Sequence, residues 1–405
     1  MASEQSAPTA VFLIDRQLYY KFLAPIVDEL LSRGVRVICL HNYHNDEARF
    51  SGLKAGQFAS LGICPQFPHG QAELRIWRRR EDVAAVIAAE GVDYIYSLHG
   101  AGYYGLEETP ERNALVWVQI QHGADTFLDG TGTDKADIFA RYSSVWSDHF
   151  AHSTFSNSHD TGCLALNSVG YDIPAIRRKY ALPMDKPVIV YFAGDHPRLT
   201  WVPGVFNRLW FRYIFSDDSW SGSLQGIAKF LSTVVATEIA LVRALRTYAS
   251  ERDALLIIKS RSKRPLSPLM CSHADMVCYD ESLYPSTNYE LMAVASLVVC
   301  IASTAQLEAA FFGTPAISLY PGLLKKYFLS SLDRAFPKCP SRYARSVSKF
   351  INNLRLGDLC LPEVTSQEVV ELFGETRNGA ELLVDLTMQQ RQNSPPYWKH
   401  VPHAQ

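Results

Sequence analysis

The 405 residues carry 39 lysines and arginines against 41 aspartates and glutamates, a formal net charge of −2, and 47% of them are hydrophobic. That length exceeds one ordinary hydrophobic core and calls for two domains, while the interspersed charge excludes a basic nucleic-acid-binding field and an acidic disordered tail. The eight cysteines include no CxxC pair and several lie in apolar runs, so they read as reduced core residues, with neither zinc nor a disulfide framework.

The opening MASEQSAPTA has no signal pattern, and no apolar run reaches membrane-spanning length. The expected location is cytoplasmic, with any membrane contact peripheral, at the inner face. Val11–Ile14 reads as a strand ending in Asp15, Leu18–Arg33 as a helix closed by Gly34, and Val35–Leu40 as the next strand. This βαβ opening lacks GxGxxG, which argues against a dinucleotide cofactor. His41, His44 and Asp46 follow in a loop, where polar loop residues are a better reading than an incomplete metal site.

A charged helix is expected over Ala72–Glu90, with Arg78, Arg79 and Arg80 on its solvated side. The strand Tyr94–Leu98 then delivers His99 into a glycine-rich loop, and the strand Leu115–Ile120 delivers Gln121-His122-Gly123-Ala124-Asp125. Two consecutive strands thus end in His-Gly at one sheet edge. Such a position suits an acid or base, so His122, His99 and Asp125 are the catalytic candidates, against the ordinary reading of structural strand-end histidines. A further strand is expected around Val145 and Trp146.

The proline-bracketed step Leu182–Pro187 marks the domain boundary: 1–183 as an acceptor domain, 184–392 as a nucleotide-donor domain, and 393–405 as a polar tail. The second domain opens with the strand Val188–Ala193 and Gly194, a glycine placed where a phosphate-facing loop needs one. The aromatic stripe Trp201–Trp220 reads by default as core, and alternatively as an interfacial or acceptor-binding flap. After a helix over Gln225–Ser250, the strand Leu255–Ile258 ends in Lys259 and Arg261, cations suited to a nucleotide diphosphate or an acidic sugar.

Leu297–Ile301 then reads as a strand buried on both faces, Ser303 and Thr304 as caps of a helix over Ala305–Phe312, and Ala316–Leu319 as a parallel return strand. A helix start at the carboxyl end of such a strand is a phosphate seat, and Glu308 one turn in is placed to hold ribose hydroxyls. A helical pattern, Gln367–Gln390, closes the chain.

Val169-Gly170-Tyr171-Asp172, Lys186–Phe192, Lys259-Ser260-Arg261, Ser303–Ala309 and Phe312-Gly313-Thr314-Pro315 together resemble the two-domain GT-B glycosyltransferases. The likeness is greatest to bacterial surface-polysaccharide enzymes related to the Kdo and polyol-phosphate transferases, of lipopolysaccharide and capsule synthesis. It implies an α/β fold of two Rossmann-like domains facing across a cleft, a nucleotide-activated sugar as substrate rather than a resident cofactor, and a saccharide or lipid-linked saccharide acceptor. It also implies a donor phosphate on the Ser303/Thr304 turn, ribose on Glu308, and no metal. The layout is similar as well to the non-hydrolysing sugar-nucleotide epimerases, but Ala101 and Gln121 stand where those enzymes carry an aspartate and a glutamate. A non-catalytic nucleotide-binding scaffold is the third reading.

Overall fold

Apolar strands separated by helices can pair in parallel only if each connection crosses over a sheet face, and this chain does so twice. The computed structural model describes residues 7–16, 19–42, 65–107, 112, 115–122, 136–150, 157–167, 170–193, 236–260, 266, 268–279, 282, 284–301, 303, 305–320, 329, 333, 337, 344–361, 363–375 and 377–393.

The chain begins with β1 (Thr9–Ile14), whose six residues are all buried. It continues through α1 (Tyr20–Ser32), β2 (Arg36–Asn42), β3 (Glu73–Trp77), α2 (Arg80–Glu90) and β4 (Tyr94–Ser97). A 3-10 turn (Ala101–Tyr104) leads to β5 (Val116–Ile120), β6 (Ile138–Arg141), α3 (Ser144–His149), β7 (Ser158–Asp160) and α4 (Leu164–Asn167). Among the described residues these strands form a seven-stranded parallel sheet in the order β3-β2-β1-β4-β5-β6-β7. Val11, Leu13, Ile38, Leu40, Ile95 and Trp117 build the core on one face. On the other, Phe12 stacks on Tyr96 with ring centroids 4.8 Å apart.

The second sheet repeats the plan. After α5 (Ile173–Lys179) come β8 (Val188–Phe192), α6 (Ala236–Ser250), β9 (Leu255–Lys259), α7 (Pro268–Cys271), β10 (Met276–Cys278), α8 (Thr287–Val294) and β11 (Leu297–Ile301). Then follow α9 (Ala305–Phe311), β12 (Ala316–Tyr320), β13 (Arg345–Ser346) and α10 (Val347–Leu356). The order is β10-β9-β8-β11-β12-β13, again parallel throughout. Tyr191, Leu241, Leu245, Ile258, Val299 and Phe350 are among its buried core. In both sheets the strand order reverses beside the first strand, between β1 and β4 and between β8 and β11, which is where open α/β sheets take ligands.

Two closing helices, α11 (Ser366–Phe373) and α12 (Gly379–Asn393), complete the chain. The division into units differs from the sequence boundary at 183/184. One compact unit is drawn from Met1–Val169, Ser282–Ser286 and Val370–Gln405, the other from Gly170–Glu281 and Thr287–Val369. Residues 170–183 join the second unit because α5 packs on α8, where Lys179 Nζ and Tyr180 Oη bond the buried Glu290 carboxylate at 2.7 and 2.6 Å. Residues 370–393 return to the first, where α12 packs on α1 and β5 and Arg391 pairs with Asp93 at 2.9 Å. The short segment Ser282–Ser286 belongs there too, since Tyr284 Oη donates to Asp28 of α1 at 3.1 Å.

Three elements differ from expectation. The single helix over 72–90 is an edge strand plus a helix: Leu74 and Ile76 alternate with Glu73 and Arg75 and pair with β2. The strand expected at Val145 is helical, while the strand itself lies earlier, at β6. The closing helix is broken at Gly374, whose φ of +81° is left-handed. A Cβ there would stand 2.5 Å from the Tyr142 carbonyl oxygen and 2.6 Å from Gly162 Cα. Gly374→Ala is therefore expected to destabilise the protein by roughly 2–4 kcal/mol in urea unfolding, because strain and a backbone clash act together; a change under about 0.5 kcal/mol would show that the C-terminal return is not so tightly docked.

Candidate active site

The first sheet's carboxyl edge collects polar side chains from neighbouring strands. After β1 the chain turns at Arg16, whose carbonyl accepts from Tyr19 N at 2.9 Å, and enters α1. Asp15 is buried and accepts from Tyr104 Oη of the 3-10 turn at 2.5 Å. Burial, then the Asp15 charge, holds the Tyr104 phenol well above its ordinary value, so it stays protonated. At the end of β2, His41 Nε2 lies 2.6 Å from Tyr20 Oη; both are buried, and burial pushes His41 down to about 4.

His99 and His122 follow β4 and β5, and these two sequence candidates come together. Their rings meet edge to face with centroids 5.4 Å apart. Tyr103 stacks on His99 at 4.2 Å, and Tyr19 packs against both imidazoles, with centroids 6.0 Å from His99 and 5.6 Å from His122. The His99 carbonyl accepts from Ser97 Oγ, which in turn accepts from Trp117 Nε1 at 3.0 Å. Burial first, and then the electrostatic effect of His99, Arg16 and Lys21, holds His122 down at about 3. His122 is thus neutral, as a base must be, but its protonated form is strongly disfavoured until an anion offsets those charges. Gln121, beside it, is fully buried with Oε1 accepting from Tyr142 N at 2.8 Å. Asp125 lies outside the described residues.

In the second sheet, Lys259 ends β9 as expected, but it is buried and its Nζ donates to the Ser260 carbonyl at 2.7 Å. Ser303 follows β11; its Oγ accepts from Ala305 N at 3.2 Å and its own N donates to Ser318 Oγ at 3.4 Å. Gln306 ties α9 to β12, accepting from Ser318 N at 3.2 Å and donating to the Ala316 carbonyl at 3.5 Å. These bonds tie Ser303 and the first turn of α9 to β12. Cys300 beneath it is fully buried, and burial pushes its thiol up to about 12, which removes it as a nucleophile. Glu308 sits in the first turn of α9, partly exposed. Gly194, Arg261, Thr304 and the stripe Trp201–Trp220 lie outside the described residues. Among the described residues no three metal-ligating side chains cluster, and no helix is long and apolar enough to cross a membrane.

No protein-family model and no curated protein matches the sequence. Solved structures do match over nearly the whole chain. The wall teichoic acid polymerase TagF superposes with a TM-score of 0.55 at 12% identity, over 95% of this chain and 89% of that one. UDP-N-acetylglucosamine 2-epimerase from Rickettsia bellii gives 0.54 at 10% identity, over 95% and 97%. The UDP-GlcNAc 2-epimerase from Methanocaldococcus jannaschii gives 0.52 at 10%, over 94% and 99%. The chain has the GT-B fold, with two Rossmann-like domains. The sequence had missed Tyr19, Tyr20 and Ser318; the consecutive tyrosines straight after the first strand were the available signal for the first two.

His41 makes stability pH-dependent in a defined direction. The unfolded chain takes up the proton near the ordinary 6.5, whereas folded His41 stays neutral to about 4. Its contribution is complete above pH 6.5 and falls as pH drops through 6.5 to 4, by roughly 3 kcal/mol in total. Denaturant titrations of His41→Gln are expected to show a slope of stability against pH shallower by about 1.4 kcal/mol per unit in that window. Superimposable slopes would contradict the assignment.

Proposed function

We propose that the protein is a glycosyltransferase that moves a sugar from a nucleotide-activated donor to a saccharide or lipid-linked saccharide acceptor, in surface-polysaccharide synthesis of the kind served by Kdo and polyol-phosphate transferases. The observation that carries this reading is the pairing of an imidazole cluster, His99 and His122, at the carboxyl edge of one Rossmann-like sheet with Ser303, hydrogen-bonded to the start of α9, and Glu308 at the carboxyl edge of the other. In this reading the first unit, centred on residues 1–169, presents the acceptor hydroxyl to an imidazole, with Asp125 to orient it. The second unit binds the donor: Gly194 and the Ser303/Thr304 turn at its phosphates, Lys259 and Arg261 as charge for the leaving phosphate, and Glu308 at the ribose. Cytoplasmic location, with a peripheral contact at the membrane's inner face, goes with such an acceptor.

Epimerisation is the second reading, favoured by the structural likeness to UDP-N-acetylglucosamine 2-epimerases. Against it, Ala101 is a buried residue of a 3-10 turn and Gln121 is committed to the Tyr142 backbone, so neither position offers a carboxylate.

The decisive assay presents CMP-, CDP-, UDP- and GDP-linked donors with and without saccharide acceptors. Transfer is expected for one nucleotide class only when an acceptor is present, with inversion at the anomeric carbon if an imidazole is the base. Glu308→Ala is expected to weaken binding of that donor by roughly 1–3 kcal/mol in calorimetry. Interconversion of a donor without acceptor, with deuterium entering from solvent, would support the epimerase instead, and absence of binding to all four classes would end both readings.

A further inference from the structure

Among the described residues β3 pairs with β2 alone, so the outer edge of the first sheet, where every second residue turns its N–H and C=O away from β2, has no strand against it. Such an edge is a template for another strand, and natural sheets commonly blunt it with lysine or proline. β3 reads Glu73-Leu74-Arg75-Ile76-Trp77 and holds neither. Leu74 and Ile76 are instead 41% and 48% exposed. Side chains alternate between the faces of a strand, so these two share one face with Ala72, while Glu73 and Arg75 lie on the other.

On that second face the charges form a closed ring. Arg36 pairs with Glu73 and Glu90 at 2.8 and 2.6 Å, and Arg75 pairs with the same two carboxylates at 2.6 Å each. Glu73 and Arg75 nevertheless stay partly exposed. The edge therefore offers an acid and a base two residues apart, with an exposed leucine between them.

That order is self-complementary. In an antiparallel pair, residues directly opposite each other point to the same face, so two identical strands related by a two-fold axis meet with the axis on a residue rather than between two. Centred on Glu73 or Arg75, the axis sets a charge against its own copy. Centred on Ile76 it sets Leu74 opposite Arg78, and centred on Trp77 it sets Arg75 opposite Arg79. Centred on Leu74 it sets Glu73 opposite Arg75 twice on one face, and on the other face Leu74 opposite Leu74 with Ala72 opposite Ile76 on each side. Of the centres within the strand, only Leu74 gives two opposite-charge pairs and an unbroken apolar row together.

We propose that β3 pairs antiparallel with β3 of a second copy of this chain, two-fold about Leu74, joining the two seven-stranded sheets into one continuous sheet. Because the strands run in opposite directions across the seam, the carboxyl edges of the two sheets face opposite ways. β2 and β1 stand between the seam and the strands that carry His99 and His122, so the pairing leaves that cluster uncovered.

Light scattering on the full chain reads the mass directly. The expected value is twice 45.4 kDa, falling by half for Leu74→Lys, a substitution at an exposed position that is expected to leave the circular dichroism unchanged. Glu73→Arg and Arg75→Glu are each expected to be monomeric alone and to form a dimer when mixed, since two arginines then meet two glutamates across the seam. Under oxidation Leu74→Cys is expected to give a covalent dimer beyond the wild-type level, and Ile76→Cys is not, because Ile76 faces Ala72 of the second copy. The charge variants also disturb the ring with Arg36 and Glu90, so the Leu74 substitutions, which touch neither, decide the case if one of them fails to fold. A wild-type chain that stays monomeric across a dilution series overturns the proposal: protection of its β3 amides from hydrogen exchange would then assign the edge to a segment of the same chain, and sedimentation with anionic vesicles that Leu74→Lys abolishes would assign it to a membrane. A dimer that survives Leu74→Lys, folded charge variants that do not combine, or equal cross-linking at positions 74 and 76 also overturns it.

Discussion

A parallel strand buried on both faces can offer chemistry only at its ends. β1, β4, β5, β8 and β11 are buried along nearly their whole lengths, so the polar side chains that could meet a ligand are pressed to the residues just past them: Asp15, His99, His122 and Ser303. Because the described strands of each sheet pair in parallel, those ends share one edge in each sheet. The reversal of strand order beside β1 and β8 then splays the connecting helices to opposite faces and leaves room at that edge. The candidate sites follow from this constraint.

The two edges are built differently. At the first, rings pack on rings: Tyr19, Tyr103, His99 and His122 form an aromatic cluster whose hydrogen bonds run inward to Ser97 and Trp117. Burial and neighbouring positive charge work in the same direction on His122, favouring the neutral ring. At the second, side-chain bonds of Ser303, Ser318 and Gln306 tie the start of α9 to β12. Rings suit proton exchange at a hydroxyl, and the amides at a helix start suit an anion.

How much could be read beforehand depended on whether the signal was local. Leu297–Tyr320 was legible because strand, cap, helix and Gly313 stop follow one another without long-range help, and the parallel β11–β12 register bears that out. His99 and His122 were legible as strand-end residues for the same reason. β3 was not, since its alternation of Leu74 and Ile76 with Glu73 and Arg75 lasts only five residues, Glu73–Trp77, directly before a charged helix, and its pairing with β2 is long-range. The return of α12 to the first unit was invisible because Gly374 meets Tyr142 and Gly162, residues more than two hundred positions away. Lys259 shows the limit for sites: its place at the end of β9 was expected, but its burial against Ser260 depends on the neighbouring β10.

The proposed transfer requires that nucleotide bind at the carboxyl edge of the second sheet, leaving the imidazole edge of the first for the acceptor. A crystal structure of the full chain with a bound nucleoside diphosphate tests it most directly. The account requires phosphate density against the Ser303–Ala305 turn and ribose within hydrogen-bonding distance of Glu308. Nucleotide density on His99 and His122, with the second sheet's edge empty, would contradict it.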